Sequence, residues 1–509
     1  MHTKSGKRIY ILIHLIIVYQ CVSATDFYVS VTGDDVHGNG SLNSPWKTIR
    51  YAIKNISPDQ DHVLKISEGT FIEDAPLEIP LRISLEGSGI DKTFISPAAS
   101  FFYHPKKPGF AMEKFFITMN GIGYSHGSQS IKNLTIDGKE KKLHGGLFVR
   151  NRNNVEIKNI RIKNVNFCGI WILNSKGSTI SNTSLINCAW ASTEWCSGAL
   201  QLGNLEDVEI QNLTVDENSG YGIKALAEET NKLKNLKIHD SRISVNPTGV
   251  WNNGKAPNIS IELWSVGLTD CEISNCYVDN HISLVNTVHV PPPGSKSIRI
   301  HHNTIDLSTR ANGNGYGMEL SINEVEIDHN IFMTGKYGIV NWSDRVKNWA
   351  IHHNIFYGLK NESPGEILRS QKSGLHHVKF YNNTIEFMGI HSMNLIGLYG
   401  GASENLDIKN NLVINSNISY NWYRNKLVHL ENGTLRNLCV MNNLFFNLNT
   451  KNIRGTFINN LTEDPKIKRN GIQHTTYYSP QTGSPLIDAG ISVHLPFKGS
   501  APDIGAHEY

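Results

Sequence analysis

Three charged side chains, Lys224, Glu262 and Glu319, stand at the same place in a short recurring segment. Each follows a small residue and one apolar residue, as in Gly222-Ile-Lys, Ser260-Ile-Glu and Gly317-Met-Glu. Lysine and glutamate side chains can remove or supply protons in a reaction, and a lysine can neutralise a substrate carboxylate. If these three side chains share one face, they predict acid–base chemistry on an acidic substrate.

An alignment of the segments that follow each corner residue predicts that shared face. The second position is apolar in every segment and is predicted to point inward, so the third position points outward. On adjacent rungs Lys224 and Glu262 lie about 4.8 Å apart in backbone, and Glu262 and Glu319, two rungs apart, about 9.5 Å. An ordinary solvated strand face is the alternative interpretation. The aligned third positions are Trp171, Leu200, Lys224, Glu262, Ser283, Glu319 and Val340.

Tryptophans accompany these charges. Five of the nine, at positions 171, 190, 195, 251 and 264, fall in one stretch of the chain. Exposed flat aromatic rings stack on sugars, so we predict a substrate groove along this face. The predicted groove tryptophans are Trp171, Trp251, Trp264 and Trp342.

The coil between the two glutamates supplies further polar candidates. We predict His281 as an acid–base group, because an imidazole titrates near neutral pH, and Asn286 and His289 as substrate-binding groups. An ordinary surface position is an equally good interpretation of each. The histidine pairs that begin at His301, His352 and His376 alternate in and out along strands, so we interpret them as structural.

These residues are positioned by a repeat that begins with asparagine and continues with alternating apolar residues. Between intact neighbours its period is 23 to 32 residues, with three short strand-like pieces in each period. Alternation buries one face of a strand, and asparagine tolerates the backbone angles of tight corners. The pattern predicts an all-β right-handed parallel β-helix rather than a propeller or a sandwich. The repeat begins at Asn133, Asn159, Asn182, Asn212, Asn275, Asn303, Asn330, Asn354, Asn383, Asn411 and Asn443.

Composition limits the remaining classes of protein. The chain has 509 residues, is 39% hydrophobic and carries a net charge of +3, which argues against a disordered chain and against a dedicated nucleic-acid binder. Seven cysteines are too few for a disulfide scaffold. We expect a monomer with residues 25–100 as an N-terminal cap and first coils, residues 101–460 as the β-helix, and residues 461–509 as a closing segment.

The N-terminus has the pattern of a secretory signal peptide. Basic residues precede an apolar run from Ile9 to Tyr19, and Val22-Ser23-Ala24 forms a small-residue cleavage site. We therefore predict cleavage after Ala24 and a secreted or periplasmic protein. The apolar run is too short for a comfortable membrane span. Lipid anchoring at Cys21 is not expected, because Gln20 fits that signal poorly.

Both ends of the chain resemble secreted bacterial β-helix proteins. Phe27-Tyr-Val-Ser-Val-Thr-Gly-Asp-Asp and Ser44-Pro-Trp-Lys-Thr-Ile resemble an N-terminal cap in which a short helix, here about residues 48–55, plugs the solenoid. Ser484-Pro-Leu-Ile-Asp-Ala-Gly and Pro502-Asp-Ile-Gly-Ala-His-Glu-Tyr resemble the closing segment. With the coils, the chain resembles the pectate-lyase-like superfamily, which contains polysaccharide lyases, glycoside hydrolases and epimerases. A likeness of fold does not fix the reaction.

The resemblance implies a lyase that acts on a uronic-acid-containing polysaccharide or oligosaccharide. Lyases of this kind use lysine or arginine as the base, often with Ca²⁺ held by carboxylates. Here Lys224 suits the base, and Glu262 and Glu319 could hold Ca²⁺, which prefers oxygen ligands. If the leaving group at a chain end is hydroxide, the same chemistry becomes a dehydration.

Two other functions remain open. An inverting glycoside hydrolase needs two carboxyl groups about 6.5–9.5 Å apart, and Glu262 and Glu319 fall at the upper edge of that range. The paired-aspartate and Gly-His-Gly motifs of polygalacturonases are not found, nor is the Glu/Lys/Arg motif of the chondroitinase B and alginate lyase family. The third function is a non-catalytic glycan-binding β-helix, which needs the tryptophans but no acid–base set.

Overall fold

The structure is a computed structural model. It describes residues 25–100, 115–139, 143–189, 197–218, 220–225, 231–245, 250–251, 256–257, 259–265, 267–286, 297–308, 315–333, 335–342, 346–359, 365–388, 393–416, 426–448 and 455–509. The predicted signal peptide, residues 1–24, lies outside these ranges. None of the described helices has the length and apolarity needed to cross a membrane.

Short parallel strands stack into three faces around one interior, which confirms the predicted right-handed parallel β-helix. The strands of the first face are Leu77–Glu78, Phe115–His126, Leu143–Asn153, Val165–Lys176, Gly198–Asp216, Tyr221–Ala225, Ile261–Ser265, Ile282–Asn286, Tyr316–Ser321, Tyr337–Asn341, Gly365–Ser370, Met393–Leu398 and Lys426–Leu430.

The second and third faces complete each coil. The strands of the second face are Thr25–Val29, His62–Ile66, Ile83–Gly87, Ser130–Asp137, Glu156–Lys163, Thr179–Ile186, Lys232–His239, Gly267–Thr269, Glu272–Ser274, Ile298–His301, Val325–Asp328, Val346–His352, Leu375–Tyr381, Gly401–Lys409, Gly433–Met441 and Thr456–Ile458. Those of the third face are Gly69–Glu73, Thr93–Pro97, Arg242–Ile243, Tyr277–Val278, Thr304–Asp306, Ile331–Met333, Ile355–Leu359, Thr384–Phe387, Leu412–Asn415 and Leu444–Phe446. Val250–Trp251 and Ala256–Pro257 form a separate antiparallel pair.

The interior is a continuous apolar column, because alternate residues of each strand point into it. The strand Ile83–Gly87 shows the pattern, with its first, third and fifth residues buried and the two between them half-buried. Equal positions of successive coils pair in register, as Ile261 pairs with Ile282 and Ile282 with Met318. A residue at a given position of one coil therefore lies directly above its counterpart in the next.

One short helix, Ile49–Asn55, covers the N-terminal end of the column and buries Ile49, Ala52 and Ile53. Thr48 caps it, its hydroxyl accepting from the Tyr51 N–H, which satisfies a donor that the first helical turn leaves free. Asp35 supports the cap by accepting hydrogen bonds from the Lys47 and Thr48 N–H groups and from the Thr48 hydroxyl. The helix lies where the sequence predicted a capping helix.

Buried asparagines form a ladder along one corner. The side-chain amide of Asn330 donates to the side-chain oxygen of Asn354 at 2.9 Å, and Asn354 donates to Asn383 at 3.0 Å. The same side-chain oxygens also accept backbone N–H groups, as in Asn330 N–H to Asn354. Asparagine side chains are thus hydrogen-bonded from coil to coil along this corner.

The asparagine repeat changes its corner position by one residue between Asn275 and Asn303. Asn275 has a left-handed φ of 53°, as do the earlier repeat asparagines, and it lines up with His302, whose φ is 56°. Asn303 instead lines up with Cys276 and accepts its N–H. From this coil onward a histidine or a second asparagine takes the left-handed corner, and the repeat asparagine moves inward to form the buried ladder.

The C-terminal segment packs against the end of the third face. Ile467, Tyr478 and Leu486 join a buried cluster with Leu412 and other residues of the last coils. Its backbone accepts hydrogen bonds from two of the left-handed corner asparagines. Asn382 donates to the carbonyl of Asp503 at 3.0 Å, and Asn410 donates to that of Ile491 at 2.8 Å. These contacts attach the segment to the outer side of several successive coils, whose strands continue to pair with one another.

Candidate functional site

The first face carries one outward row of paired residues that includes all three charged candidates. Lys224 pairs with Glu262, Glu262 with Ser283, and Ser283 with Glu319, so Lys224 and Glu262 occupy adjacent rungs. We call the full row the outward stripe. It consists of Glu78, Thr118, Phe148, Trp171, Gln201, Lys224, Glu262, Ser283, Glu319, Val340, Arg369, Gly397 and His429.

The stripe differs from the alignment at one coil. Leu200 was predicted to point outward, but it pairs with Ile170 and Ile223 on the inward row and is buried in the core. Gln201 takes the outward position instead and pairs with both Trp171 and Lys224. In the other segments a large apolar residue follows the corner residue directly, whereas Ala199 stands between Gly198 and Leu200. Leu200 therefore fills the core, and the outward position moves one residue along the chain to Gln201.

Lys224 and Glu262 form a buried ion pair. The Lys224 ammonium lies 3.6 Å from Glu262 Oε2 and 4.7 Å from the centre of the Tyr221 ring. Glu262 is 4% exposed, and among the described residues no donor lies within hydrogen-bond distance of its Oε2. Burial raises the pKa of Glu262 to about 7; Lys224 opposes this shift and Glu319 adds to it. Glu262 thus changes protonation near neutral pH.

Glu319 is the second carboxyl of the site. Burial raises its pKa, and a hydrogen bond from the Ser283 hydroxyl to Glu319 Oε2, at 2.9 Å, opposes that rise. Ser283 lies on the rung between the two glutamates and itself accepts a hydrogen bond from the Trp264 indole N–H at 3.0 Å. The predicted groove residue Trp264 therefore orients Ser283, which orients Glu319.

His281 is buried at the corner just before the Ser283 strand. It is 1% exposed, its Nδ1 lies 3.0 Å from Asn280 Oδ1, and its ring packs on Tyr316 at 4.4 Å between ring centres. Tyr316 in turn meets the half-buried Trp342 edge to face at 5.7 Å. The structure therefore brings His281 and Trp342 together through Tyr316, beside the stripe rather than on it.

Trp171 lies on the stripe, but its ring is not exposed as the groove prediction requires. It is 2% exposed and packs with Phe115 and Phe148 at ring-centre distances of 6.0 and 5.0 Å. With Phe167 and Cys168 these rings form an apolar cluster on the outer side of the face. Trp171 thus closes this end of the stripe, because neighbouring coils supply aromatic side chains that cover it.

Three predicted substrate-binding residues cannot be placed through their side chains. Trp251 and Asn286 belong to strands whose backbones are described while these two side chains lie outside the description. His289 lies outside the described residues altogether. Their roles stay predictions.

The predicted Ca²⁺ ligands fit that ion poorly. The Lys224 ammonium already lies against Glu262, where it competes with a second cation, and Ca²⁺ requires six to eight oxygens. Within the described ranges, groups of three side chains able to share a metal occur on the second face, and neither group includes Glu262 or Glu319. Both contain Asp328, whose carboxylate already accepts two hydrogen bonds from Arg299 at 2.8 Å.

Several residues of this face were not identified from the sequence. Ser283 was aligned as an outward residue but given no role, and Arg369 falls on the stripe beyond the last aligned segment. Arg369 stacks between Tyr337, 4.8 Å away, and Tyr399, 3.9 Å away, and donates to the buried Glu366 at 2.8 Å. Extending the alignment by one coil would have reached the segment that carries it.

Comparison with known proteins supports the fold. The family described as right-handed beta helix region matches residues 120–262. The tailspike protein of E. coli bacteriophage HK620, solved with a pentasaccharide, is 13% identical, with a TM-score of 0.55 over 85% of this chain and 78% of that chain. The catalytic unit of a GH87 α-1,3-glucanase from Streptomyces thermodiastaticus is 12% identical, with a TM-score of 0.44 over 82% and 68%. No curated protein sequence matches. The strand register, the family match over residues 120–262 and the likeness to the tailspike protein agree that the chain has the right-handed parallel β-helix fold.

Proposed function

We propose that the chain is a carbohydrate-active enzyme that cleaves a uronic-acid-containing polysaccharide or oligosaccharide by β-elimination, with its reaction centre at Lys224, Glu262 and Glu319. The carrying observation is that a buried carboxyl, Glu262, and a half-buried one, Glu319, both with raised pKa values, lie on either side of the Ser283 rung, with the Lys224 ammonium beside Glu262. Perturbed carboxyls that share one site are typical of acid–base centres.

The elimination assigns a separate task to each side chain. With Glu262 protonated, the Lys224 ammonium can neutralise the substrate carboxylate, which acidifies the neighbouring C5–H. Glu319 takes the C5 proton as base, the C4–O bond breaks, and Glu262 gives its proton to the departing oxygen. A C4–C5 double bond remains, and all protons are accounted for. The sequence assigned Lys224 as the base; its ion pair with Glu262 favours the charge-neutralising task instead.

Inverting hydrolysis is the second candidate, and the spacing of the glutamates favours it. Glu262 and Glu319 stand two rungs apart, about 9.5 Å in backbone. That spacing leaves room for a water molecule between an acid and a base. Glu262 would again protonate the leaving oxygen, and Glu319 would activate water. The two reactions thus share their acid and base and differ in whether the substrate must carry a carboxylate.

The testing experiment is incubation of the purified protein with acidic and neutral polysaccharides and their oligosaccharides. Product formation is followed by ultraviolet absorbance of the C4–C5 double bond and by new reducing ends. We expect both signals to rise together on a uronate substrate. New reducing ends without absorbance would establish hydrolysis. Binding of a saccharide with neither ultraviolet absorbance nor new reducing ends would indicate a non-catalytic glycan-binding protein.

A further inference from the structure

The side chains that flank the outward stripe differ on the two sides of the reaction centre. Toward the N-terminus the next residues, Gln201, Trp171 and Phe148, are exposed by 0%, 2% and 2%. The cluster of Phe115, Phe148 and Trp171 described above lies over these rungs. On the three rungs of Gln201, Trp171 and Phe148 the stripe therefore offers no open surface to a polymer.

Toward the C-terminus the next stripe residue, Val340, is also buried, but half-buried aromatic side chains flank the stripe. Tyr316 lies on the same coil as Glu319, and Tyr337 and Trp342 lie on the next coil. Farther along, Tyr399 packs against His429 with ring centres 5.3 Å apart. Half-buried rings that keep part of their surface open can stack on sugar rings.

Arg369 holds this aromatic series in place. Its guanidinium lies between Tyr337 and Tyr399, and it donates to Glu366 and to Gln371 Oε1. Glu366 also accepts from the Tyr399 hydroxyl at 2.5 Å. A ring fixed in this way loses little side-chain freedom when a ligand binds. Arg369 lies four rungs from Glu262, about 19 Å, which is enough for several sugar units.

We propose that the groove is blind at its N-terminal end and open toward the C-terminus, so that the enzyme acts on the terminal unit of a saccharide chain. The end unit occupies the pocket of Lys224 and Glu262, against Gln201 and Trp171. The rest of the chain runs over Glu319 and the aromatic series to Tyr399 and His429. This inference rests on the proposed function and adds to it an exo mode of action and a direction of binding.

The test separates the shape of the groove from its chemistry. Uronic acid oligomers from trimer to hexamer, galacturonate and alginate types, are labelled with a bulky fluorophore at either the reducing or the non-reducing end. Their binding to the Glu262→Gln variant is measured by fluorescence anisotropy. A blind groove should reject one label and accept the other. Equal binding of both labels would overturn the inference while leaving the proposed reaction intact.

Product analysis of the wild-type protein gives a second, independent result. An exo enzyme should release only the smallest product at early times, whereas a ladder of intermediate sizes would overturn the inference alone. If no oligomer binds and none is cleaved, the proposed function fails together with it.

Substitutions test the binding direction. Tyr399→Ala and His429→Ala should weaken hexamer binding several-fold while leaving trimer binding unchanged. Tyr277→Ala is the matched control, since Arg242 stacks on Tyr277 at 4.2 Å in a similar pair on the third face. Two results would contradict the proposed path of the saccharide chain. One is a loss of hexamer binding in Tyr277→Ala as large as in Tyr399→Ala, and the other is unchanged hexamer binding in both Tyr399→Ala and His429→Ala. Thermal melting shows which variants retain the fold.

Discussion

Lys224 and Glu262 occupy paired positions on adjacent coils, with the ammonium 3.6 Å from Glu262 Oε2 and both side chains largely buried. Surface ion pairs contribute little to stability, but a buried pair couples the charge states of its members strongly. When Glu262 binds a proton near pH 7, the pocket gains an acid and an uncompensated positive charge at the same time. An uncompensated positive charge favours the binding of an anionic substrate. The predictions for the two carboxyls, for Lys224 and for the pH dependence of stability depend on this coupling.

Replacing either carboxyl should stop the reaction. Glu262→Gln and Glu319→Gln should each lower kcat by about 10²–10⁴-fold, because each removes a proton-transferring group. The measurement is the initial rate on a substrate that the wild-type protein turns over. Glu404→Gln, on the second face and 44% exposed at its side chain, is the control and should keep the wild-type rate. Wild-type turnover in both groove variants would place the reaction centre elsewhere.

Lys224→Met should separate the two candidate reactions. In an elimination the lysine neutralises the carboxylate in the transition state, so its loss should abolish unsaturated product. In a hydrolase it should mainly raise KM for an anionic substrate. The ultraviolet signal and the reducing ends are measured side by side. An unchanged rate and unchanged KM would show that Lys224 serves only to pair with Glu262.

The stability of the protein should reveal the raised pKa of Glu262. Its folded pKa of about 7 exceeds the ordinary value of 4.5, so the folded state holds the proton more tightly than the unfolded state. This contribution is complete below pH 4.5 and is lost as the pH rises through 7. Urea unfolding at pH 5 and pH 8 should therefore show Glu262→Gln gaining up to about 3 kcal/mol relative to the wild type. A difference that does not depend on pH would contradict the raised pKa.

Ser283→Ala should shift the pH profile of the reaction. The Ser283 hydrogen bond holds down the pKa of Glu319, so its loss should move the acidic limb of kcat/KM to higher pH. Ser265→Ala is a matched control, because this equally buried serine donates to the Asn231 carbonyl instead. A purely structural role for Ser283 would lower the rate without moving the limb.

The stacked histidine corner should make the solenoid sensitive to acid. His302, His329 and His353 stack in parallel at 4.8 and 4.9 Å, and burial, together with His352 and His329, lowers the pKa of His353 to about 3. The unfolded state then binds more protons below pH 6.5, so stability falls as the pH falls from 6.5 toward 3.

His353→Asn tests this, because Asn382 holds the same left-handed corner in the next coil. The wild type should lose about 2 kcal/mol more than this variant between pH 6.5 and pH 5. Parallel losses in both proteins would exclude the histidine as the cause.

The alternation of the sequence was sufficient to predict the fold and the alignment of its charged residues. In a parallel β-helix equal positions of successive coils stack directly, so Lys224, Glu262 and Glu319 were placed on one stripe from their local patterns alone. The same logic failed at Leu200, where one additional residue separates the corner glycine from the side chain that fills the core. Which of two adjacent apolar residues turns inward depends on the space that neighbouring coils leave in the core. A local sequence pattern carries no information about that space.

Burial and side-chain partners were decided by the tertiary structure. The sequence marked Trp171 as an outward aromatic, but Phe115 and Phe148 from other coils cover it. It also treated Glu262 as a surface residue, whereas its 4% exposure is what raises its pKa. Period and alternation determine on which side of a strand a residue lies, because they are properties of a single strand. Exposure, charge state and partners depend on what neighbouring coils place over that side, and this is fixed only when the solenoid is assembled.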